Sequence, residues 1–545
     1  MRISKMFRSP FPQRIQISWG IFLLAPSFAN ARAAASQLRI ALPDSIKHVG
    51  IWTQAGPPDP HTPYISRNVF MATESAASVK FEVALQMRNF SELQSRIARG
   101  EHISFQEMTA KYDPPEADYQ EVIEWLTSQG FTIARRHSNR LAVFASGNVS
   151  FIQKALEVTF ARVSLEGIEY NSVITAPQVH AALAPLLIGI NGLQPFILLH
   201  TPPILKPNSL NGAASGSAPV TYMSAQIVTA YMASGLYGSN ITGLGQAIAI
   251  LMDDLPKTSD LTSFWAACGI SQSLSNITLI HVVSGRLDSS DQEEATLHTE
   301  WSSALVPGAN VRVYTFSILS NTDIDEALDQ IYADAQTYPI HQLSLSFGSG
   351  EASQTLSDVS TFDQSIATLA GAGVTVFAFS GDGGLTPSDT NGTDPESGTT
   401  LTVEWPASNP NVTGVGGTLL VLNSGNSVDT EVVWNENIVD GYTSSGGGLS
   451  TFYNRPSWQT GTGVPSGTMR YVPDVAAAAD PAATPENDGV SNLLKYLFTN
   501  LDDGESSQCF PASPHRFDHG RSDHGIGVIV NNSTKQFIRL NVGAQ

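Results

Sequence analysis

Apolar runs of strand length alternate with helix-like stretches between residues 247 and 379. The runs are Ala247–Leu251, Ile277–Ile280, Val311–Tyr314, Leu343–Ser346 and Val374–Phe379. Two of the stretches between them, 324–336 and 362–372, carry apolar residues at helical spacing. Strands that alternate with helices form βαβ units, so we predict an α/β domain whose parallel sheet is covered by helices on both faces. Ligand chemistry in such sheets lies at the carboxyl ends of the strands.

A different pattern precedes this domain. From about Val79 to Pro195 the order of the patterned stretches is β-α-β-β-α-β, which predicts a small α+β sandwich. Residues 196–219 are rich in proline, glycine, serine and asparagine, a composition typical of a protease-accessible linker. After residue 481 the alternation of strand-like and helix-like stretches stops, and residues 482–545 form a divergent tail. A chain of 545 residues accommodates two or three domains of this kind.

The net charge indicates which classes of partner the protein can bind, and the hydropathy of the N-terminus indicates where the protein is located. The formal net charge is -20 at pH 7, which argues against nucleic acid and anionic membranes as partners because those surfaces select basic proteins. The N-terminus has a positive segment up to Arg14, an apolar run over 15–28 and an Ala29-Asn-Ala31 site. This layout predicts a signal peptide over residues 1–31 and a soluble protein secreted to the extracellular space or the periplasm.

Three titratable residues stand where a parallel sheet could carry out chemistry. Glu294 and His298 are four residues apart, so in a helix they share one face and can steer a proton between them. Asp382 follows an apolar strand in the turn Ser380-Gly-Asp-Gly-Gly384. A carboxyl group there can donate a hydrogen bond to a developing oxyanion only when it is protonated. Taken singly, these residues also fit a solvated pair on a helix and a turn-forming aspartate.

The motifs around these residues resemble the sedolisin (serine-carboxyl peptidase) family and follow that family's order. They are Gly245–Ile250, Glu294–Trp301, Leu305–Ala309, Ser344–Gly348, Phe379–Gly384, Val403–Ser408, Val415–Thr418, Gly446–Gly448 with Arg455-Pro456, and Arg470–Val475 with Asp480-Pro481. The resemblance implies a subtilisin-like α/β fold behind a pro-kumamolisin-type activation domain, which acts as an intramolecular inhibitor. It assigns residues 32–195 to this prosegment, 196–219 to a linker and 220–481 to the catalytic domain.

The resemblance also implies roles for single residues. Glu294 matches the family's general base, and Asp382 matches its oxyanion-stabilising aspartate. The implied activity is hydrolysis of protein or peptide substrates at acid pH by a monomeric serine-type endopeptidase or tripeptidyl peptidase. His298 departs from the pattern, because the family has an aspartate there. A carboxylate neighbour raises the pKa of a glutamate and a protonated imidazole lowers it, so we expect the Glu294/His298 pair to operate nearer neutral pH.

The nucleophile is the larger departure. After Pro481 the family continues to a Gly-Thr-Ser sequence and a calcium-binding region, and neither is found in residues 1–545. We therefore expect an incomplete catalytic domain, and calcium is expected by family membership alone. Ser450 lies in a separate glycine-rich turn and does not match the nucleophile. Since acyl transfer requires a nucleophile, a peptidase with an unrecognised serine, an inactive peptide-binding pseudopeptidase and a truncated gene product all stay open.

Three weaker signals concern metal binding and the cysteines. Glu300 could join Glu294 and His298 as a zinc ligand, but in a helix it faces away from them, so we expect no zinc there. A group of histidines in the tail is more typical of a solvated segment than of a metal site: His515, His519 and His524. Whether Cys268 and Cys509 pair is open from sequence.

Overall fold

The computed structural model describes most of the chain between residues 38 and 479. The described residues are 38–53, 57–58, 61–201, 222–283, 285, 292–385, 401–438, 441–461 and 464–479, together with the backbone of strands at 525–529 and 537–541. The predicted signal peptide, the linker beyond residue 201, Cys509 and the three tail histidines lie outside them.

The chain orders its elements as a strand-rich first part followed by alternating strands and helices. The α-helices are α1 Ala72–Ser75, α2 Phe90–Ile97, α3 Phe105–Lys111, α4 Glu116–Ser128, α5 Val149–Leu156, α6 Ser224–Ala230, α7 Ser234–Gly238, α8 Thr258–Cys268, α9 Gln292–Leu305, α10 Asn321–Ala335 and α11 Leu356–Gly371. The strands are β1 Arg39–Ala41, β2 Tyr64–Arg67, β3 Ser78–Leu85, β4 Thr132–Arg136, β5 Ala142–Asn148, β6 Phe160–Leu165, β7 Ile168–Val173, β8 Gln178–His180, β9 Leu187–Asn191, β10 Ala247–Met252, β11 Ile277–His281, β12 Asn310–Thr315, β13 Ile340–Leu345, β14 Ser349–Gly350, β15 Thr375–Phe379, β16 Glu404–Trp405, β17 Val412–Leu422, β18 Val428–Val433, β19 Asn435–Ile438, β20 Gly441–Ser444, β21 Gly448–Asn454, β22 Met469–Val472, β23 Val475–Ala478, β24 Gly525–Ile529 and β25 Phe537–Asn541.

The first part is the predicted α+β sandwich. Its main sheet is antiparallel with the order β4-β5-β3-β9, and α4 and α5 contribute to its core. Buried apolar residues on alternate positions of β3, Phe81 and Val83 among them, pack with Tyr119 and Trp125 of α4 and Ile152 of α5. The alternation of strand and helix patterns in this region is confirmed.

The second part is the predicted α/β domain. Its sheet runs β11-β12-β10-β13-β15-β17-β18, with β23 alongside β17. The strands from β11 to β17 pair in parallel, and only β18 pairs antiparallel. Helices α8 and α9 belong to the apolar cluster on one side of the sheet and α10 and α11 to the cluster on the other, so both faces are covered as predicted.

Helices α10 and α11 begin with hydroxyl caps and form the surface on which the prosegment docks. Ser320 accepts a hydrogen bond from the Asp323 amide, and Thr355 accepts one from the Asp358 amide, so each helix has one of its free N–H groups satisfied. One buried apolar cluster contains residues from the prosegment and from both helices: Met87, Leu93, Ile103, Met108, Leu328, Ile331, Ile366 and Leu369. The first and second parts of the chain therefore share a core.

Across the described part of the chain, every helix is too short or too polar to cross a lipid bilayer.

Candidate active site

The helix that carries Glu294 and His298 is buried on almost all sides. Glu294 is 6% exposed and His298 fully buried. Helix α9 packs against α8, where the Trp265 indole N–H donates to the Ser303 hydroxyl at 2.8 Å. The two predicted site residues therefore lie one turn apart on a helix held inside the domain, which rules out the solvated-pair interpretation.

His298 contacts the central sheet through its ring. Its Nε2 forms a hydrogen bond with the Ser344 hydroxyl of β13, and Ser344 pairs in register with Phe377 of β15. The imidazole thus lies against the strand that neighbours the one leading to Asp382. Ser344 itself is buried, so this hydroxyl anchors the ring and is shielded from solvent.

Asp382 lies in a tight turn at the carboxyl end of β15. The turn depends on Gly381, whose φ of 99° is in the region that side chains rarely adopt. A second segment braces it, because the Ser380 hydroxyl donates to the Gly446 carbonyl at 2.7 Å and the Gly446 amide donates to the Gly381 carbonyl at 2.6 Å. The Ser444 amide donates to the Asp382 carbonyl at 2.8 Å. The Gly446–Gly448 motif therefore holds the loop of the predicted oxyanion residue.

The Asp382 carboxyl group is half-buried beside a second acid and an imidazole. Burial, together with the charge of Glu404 and against the opposing charge of His200, raises the pKa of Asp382 to about 7. The raised pKa means that this carboxyl is protonated below about pH 7 and can then donate a hydrogen bond. This is the state that oxyanion stabilisation requires.

His200 and Glu404 form a buried ion pair that the sequence interpretation missed. The His200 Nε2 lies 3.2 Å from a Glu404 carboxylate oxygen, and the imidazole ring meets Phe379 edge-on with ring centres 6.5 Å apart. Burial opposes protonation of His200, but the hydrogen bond and charge of Glu404, with Asp382, raise its pKa overall. Burial also raises the pKa of Glu404 against the lowering effect of His200. Glu404 stood inside a family motif, whereas nothing in the sequence marked His200.

Residues 196–201, predicted as the start of the linker, instead continue the prosegment and pair their backbone with the catalytic domain beside this ion pair. The amides and carbonyls of His200 and Gly348 exchange two hydrogen bonds of 2.9 Å, and the Leu199 amide donates to the Leu319 carbonyl at 2.8 Å. Gly348 leaves room for this pairing, since a Cβ there would lie 2.7 Å from the Trp405 carbonyl oxygen. A segment of prosegment thus lies in extended form along the site.

We expect Glu404→Gln to lower the pKa of His200, because the substitution removes the negative charge that favours the imidazolium. A raised pKa in the docked state stabilises docking at low pH, and this contribution disappears as the pH rises through the docked pKa. Histidine ring signals in an NMR titration of the full chain measure the value, with His200→Gln identifying the signal. An unchanged His200 pKa in the variant would contradict the ion pair.

Ser450 has a structural role, in agreement with the sequence interpretation. It is 2% exposed, its hydroxyl donates to Glu351 at 2.5 Å, and it accepts from the Phe452 and Tyr453 amides. A hydroxyl with these three bonds closes a turn. Among the described residues no group of three or more His, Cys, Asp and Glu side chains is arranged to hold a metal.

Comparison with known proteins adds to this geometry. A model of the pro-kumamolisin activation domain matches residues 71–196. Kumamolisin from Bacillus sp. (strain MN-32) is 28% identical in an alignment of length 446, and the match covers 74% of this chain and 74% of that protein. Sedolisin from Pseudomonas sp. (strain 101) is 30% identical in an alignment of length 396, and the match covers 69% of this chain and 64% of that protein.

A solved structure is also similar. It is Pseudomonas sedolisin (serine-carboxyl proteinase) complexed with two molecules of pseudo-iodotyrostatin, 25% identical, covering 55% of this chain and 84% of that chain with a TM-score of 0.45. The activation-domain match covers the prosegment sandwich, and the curated relatives extend over both parts of the chain. The chain is thus similar to serine-carboxyl peptidases of the sedolisin family over most of its length, and residues 71–196 match the pro-kumamolisin activation domain.

Proposed function

We propose that the chain is an exported zymogen whose cleft binds peptides in extended form and is filled by the end of its own prosegment. The observation that carries this proposal is the antiparallel pairing of Leu198 with Ser320 and of His200 with Gly348. Peptides that add a strand to an existing edge gain affinity from main-chain hydrogen bonds and specificity from side-chain pockets. Protein and peptide segments are the partners that this geometry suits, and the positively charged, then apolar, first 31 residues support export.

The pocket around the His200 ring is acidic. Glu404 is 1% exposed at its side chain, and Asp382 adds a second carboxyl group within electrostatic reach of the imidazole. Such a pocket favours a cationic side chain, since a buried carboxylate is stabilised by a charge partner. External peptides with an imidazolium at this position are the ligands that fit best.

Peptide hydrolysis in acid is the second candidate function. It is favoured by the raised pKa of Asp382, which makes the oxyanion donor available below about pH 7. In this reaction Glu294 would accept the proton of a serine nucleophile, and Asp382 would donate a hydrogen bond to the oxygen that becomes negative. No Gly-Thr-Ser sequence occurs in residues 1–545, so no serine is assigned to the attack. The peptide-binding proposal requires none.

A peptide copied from the prosegment tests the binding proposal. The probe is the labelled peptide Phe-Ile-Leu-Leu-His-Thr, which matches residues 196–201. We expect it to bind the His200→Ala chain about 10 to 100-fold more tightly than the unaltered chain. The substitution removes the charge-assisted hydrogen bond from His200 to Glu404, so the chain's own residues 196–201 compete less strongly with the probe. Fluorescence anisotropy near pH 5 measures both affinities.

A second histidine provides the matched control. His61 pairs with Glu166 inside the prosegment at 3.2 Å, so His61→Ala should leave the affinity for the probe unchanged. Equal binding by the His200→Ala and unaltered chains, or binding by neither, would contradict a cleft filled by the prosegment.

Hydrolysis is tested separately on residues 32–545. The chain is incubated from acid to neutral pH while its intact mass and the digestion of a denatured protein are followed. Loss of the prosegment within 196–219, together with digestion that disappears in Glu294→Ala, would establish peptidase activity. A stable, unprocessed chain that binds the probe without digesting any substrate would establish a pseudopeptidase.

A further inference from the structure

Two buried carboxyl groups face each other across the docking surface of the prosegment. Glu82 lies in the middle of β3 and is fully buried, and Asp325 lies on α10 and is 1% exposed. Their side chains are close enough to share a hydrogen bond. Glu82 comes from the prosegment and Asp325 from the catalytic domain, so the contact exists only when the two are docked.

The other neighbours of this pair supply few donors. Asn191 of β9 directs its amide nitrogen to Glu82 Oε2 at 3.4 Å, but it also donates to Thr361 at 2.9 Å. Within the described residues, no N–H or hydroxyl group donates to the Asp325 carboxyl or to Glu82 Oε1. Asp358 of α11 adds a third acid nearby. A proton shared between the two carboxyl groups would therefore satisfy oxygens to which no N–H or hydroxyl group of the described residues donates.

The cations of the interface are bound elsewhere. Lys80 lies on the same strand as Glu82, but its ammonium group forms ion pairs with Asp323 at 3.0 Å and Glu326 at 2.5 Å. Lys47 faces Asp358 and donates to the Ala352 carbonyl. Arg135 lies 3.6 Å from Glu326.

One imidazole also faces this surface. The His137 ring contacts the Asp325 carbonyl oxygen at 3.1 Å and lies 3.5 Å from the Asp329 carboxylate, but it does not contact the Asp325 carboxyl group. Among the described residues, the Glu82 and Asp325 pair thus has no cation in direct contact.

Two adjacent buried carboxyl groups cannot both ionise at low cost. Burial raises the pKa of Glu82 to about 8, with the charge of Asp358 adding to the rise against Asn191 and Lys80. Burial, then the charges of Glu82 and Asp358, raise the pKa of Asp325 well above its ordinary range. Once separated, both groups return to water, where such carboxyls titrate near pH 4.

We propose that the Glu82 and Asp325 contact links prosegment docking to proton uptake, so that the prosegment is held most tightly in acid and loosens as the pH rises toward neutral. The proposal deepens the proposed function and rests on it only in treating the prosegment as the occupant of the cleft. It predicts a zymogen that stays closed in acid unless its linker is cut and its prosegment is degraded.

The direction of this pH dependence follows from the linkage between proton binding and prosegment docking. A group with a raised docked pKa contributes binding free energy that is fully present below its free pKa and is lost as the pH rises through the docked pKa. Because docking takes up one proton, the dissociation constant of the prosegment rises by up to about tenfold per pH unit between about pH 4 and pH 8. Burial also raises the pKa of Asp323, so its contribution has the same sign. Against the opposing effect of burial, the charges of Asp323 and Glu326 raise the pKa of Lys80, so Lys80 keeps its charge throughout this interval.

The test uses the full chain with a site-specific protease sequence inserted after Lys206, inside the predicted linker. After cleavage, size-exclusion chromatography in increasing urea gives the midpoint of prosegment release at about pH 5, 6.5 and 8 and at constant ionic strength. We expect the midpoint to fall with rising pH and the apparent dissociation constant to rise by tenfold or more from pH 5 to pH 8. The variant Glu82→Gln/Asp325→Asn replaces the pair by neutral amides and should lose most of that rise.

A charged residue of the same interface serves as the control. Glu326→Gln removes an ion pair of Lys80 and should weaken docking at every pH while keeping the pH dependence. An unaltered chain that docks equally well at pH 5 and pH 8, or a double variant with the pH dependence of the unaltered chain, would overturn the proposal. Because the readout is prosegment release, failure of the cut chain to bind the probe peptide would count only against the cleft.

Discussion

Replacing Arg470 by methionine is expected to lower the free energy of unfolding by about 3–5 kcal/mol, because the change leaves the Asp474 carboxylate buried without its charge partner. The Arg470 side chain is fully buried. Its guanidinium donates to Asp474 at 2.7 and 3.0 Å and to the carbonyls of Ala407 and Val412 at 3.1 and 2.9 Å. Urea unfolding near neutral pH measures the loss.

Two further variants distinguish the effect of the unpaired Asp474 charge from the effect of removing an arginine side chain. Arg455→Met removes a half-buried arginine whose hydrogen bonds go to backbone carbonyls, and we expect a loss of about 1 kcal/mol. Adding Asp474→Asn to Arg470→Met should recover part of the stability, since the unpaired charge is gone. A loss in Arg470→Met no larger than that in Arg455→Met would contradict the argument.

We expect Gly446→Ala to destabilise the catalytic domain by about 3 kcal/mol and to abolish binding of the probe peptide. A Cβ at this position would lie 1.9 Å from the Ser380 carbonyl oxygen. Neither backbone segment can move freely, since Gly446 and Ser380 are joined by a hydrogen bond of 2.7 Å. A displacement of this turn also moves Asp382, so we expect the free energy of unfolding and the affinity for the probe peptide to decrease together.

Gly235→Ala is the matched substitution for this prediction. Gly235 lies in helix α7, and a Cβ there would meet nothing within 4 Å. Alanine should stabilise that helix by about 0.5 kcal/mol and leave peptide binding unchanged. Binding of the probe by Gly446→Ala with unaltered affinity would show that the Asp382 turn does not shape the cleft. Binding is measured on the His200→Ala background, where the cleft accepts the probe.

Most of the fold could be predicted because its signals are local. The apolar runs at 247–251 and 374–379 became β10 and β15, and the helical spacing in 324–336 became α10. Strand β17, by contrast, spans Val412–Leu422 and was not predicted as a strand. Its glycines weaken the strand pattern, and only the tertiary contact with β15 and β23 makes it extended.

The candidate site was predictable only in part for a similar reason. The Asp382 turn and the helical spacing of Glu294 and His298 are visible in a short stretch of sequence, and the family resemblance gave them roles. The pair His200 and Glu404 joins residues 204 positions apart, and Glu82 meets Asp325 across a domain boundary. No periodicity or motif connects such residues, because their proximity depends on how the prosegment docks.

The apolar cluster shared by the two parts of the chain also has a consequence for synthesis. Leu93 and Met108 of the prosegment leave the ribosome before Ile331 and Ile366 of the helices they cover, and domains that emerge first generally fold first. The α+β sandwich is therefore already folded when helices α10 and α11 are synthesised, and it covers their apolar surface as they form. Made without its first 200 residues, the catalytic domain would expose that surface to water and be prone to aggregate before reaching its native structure.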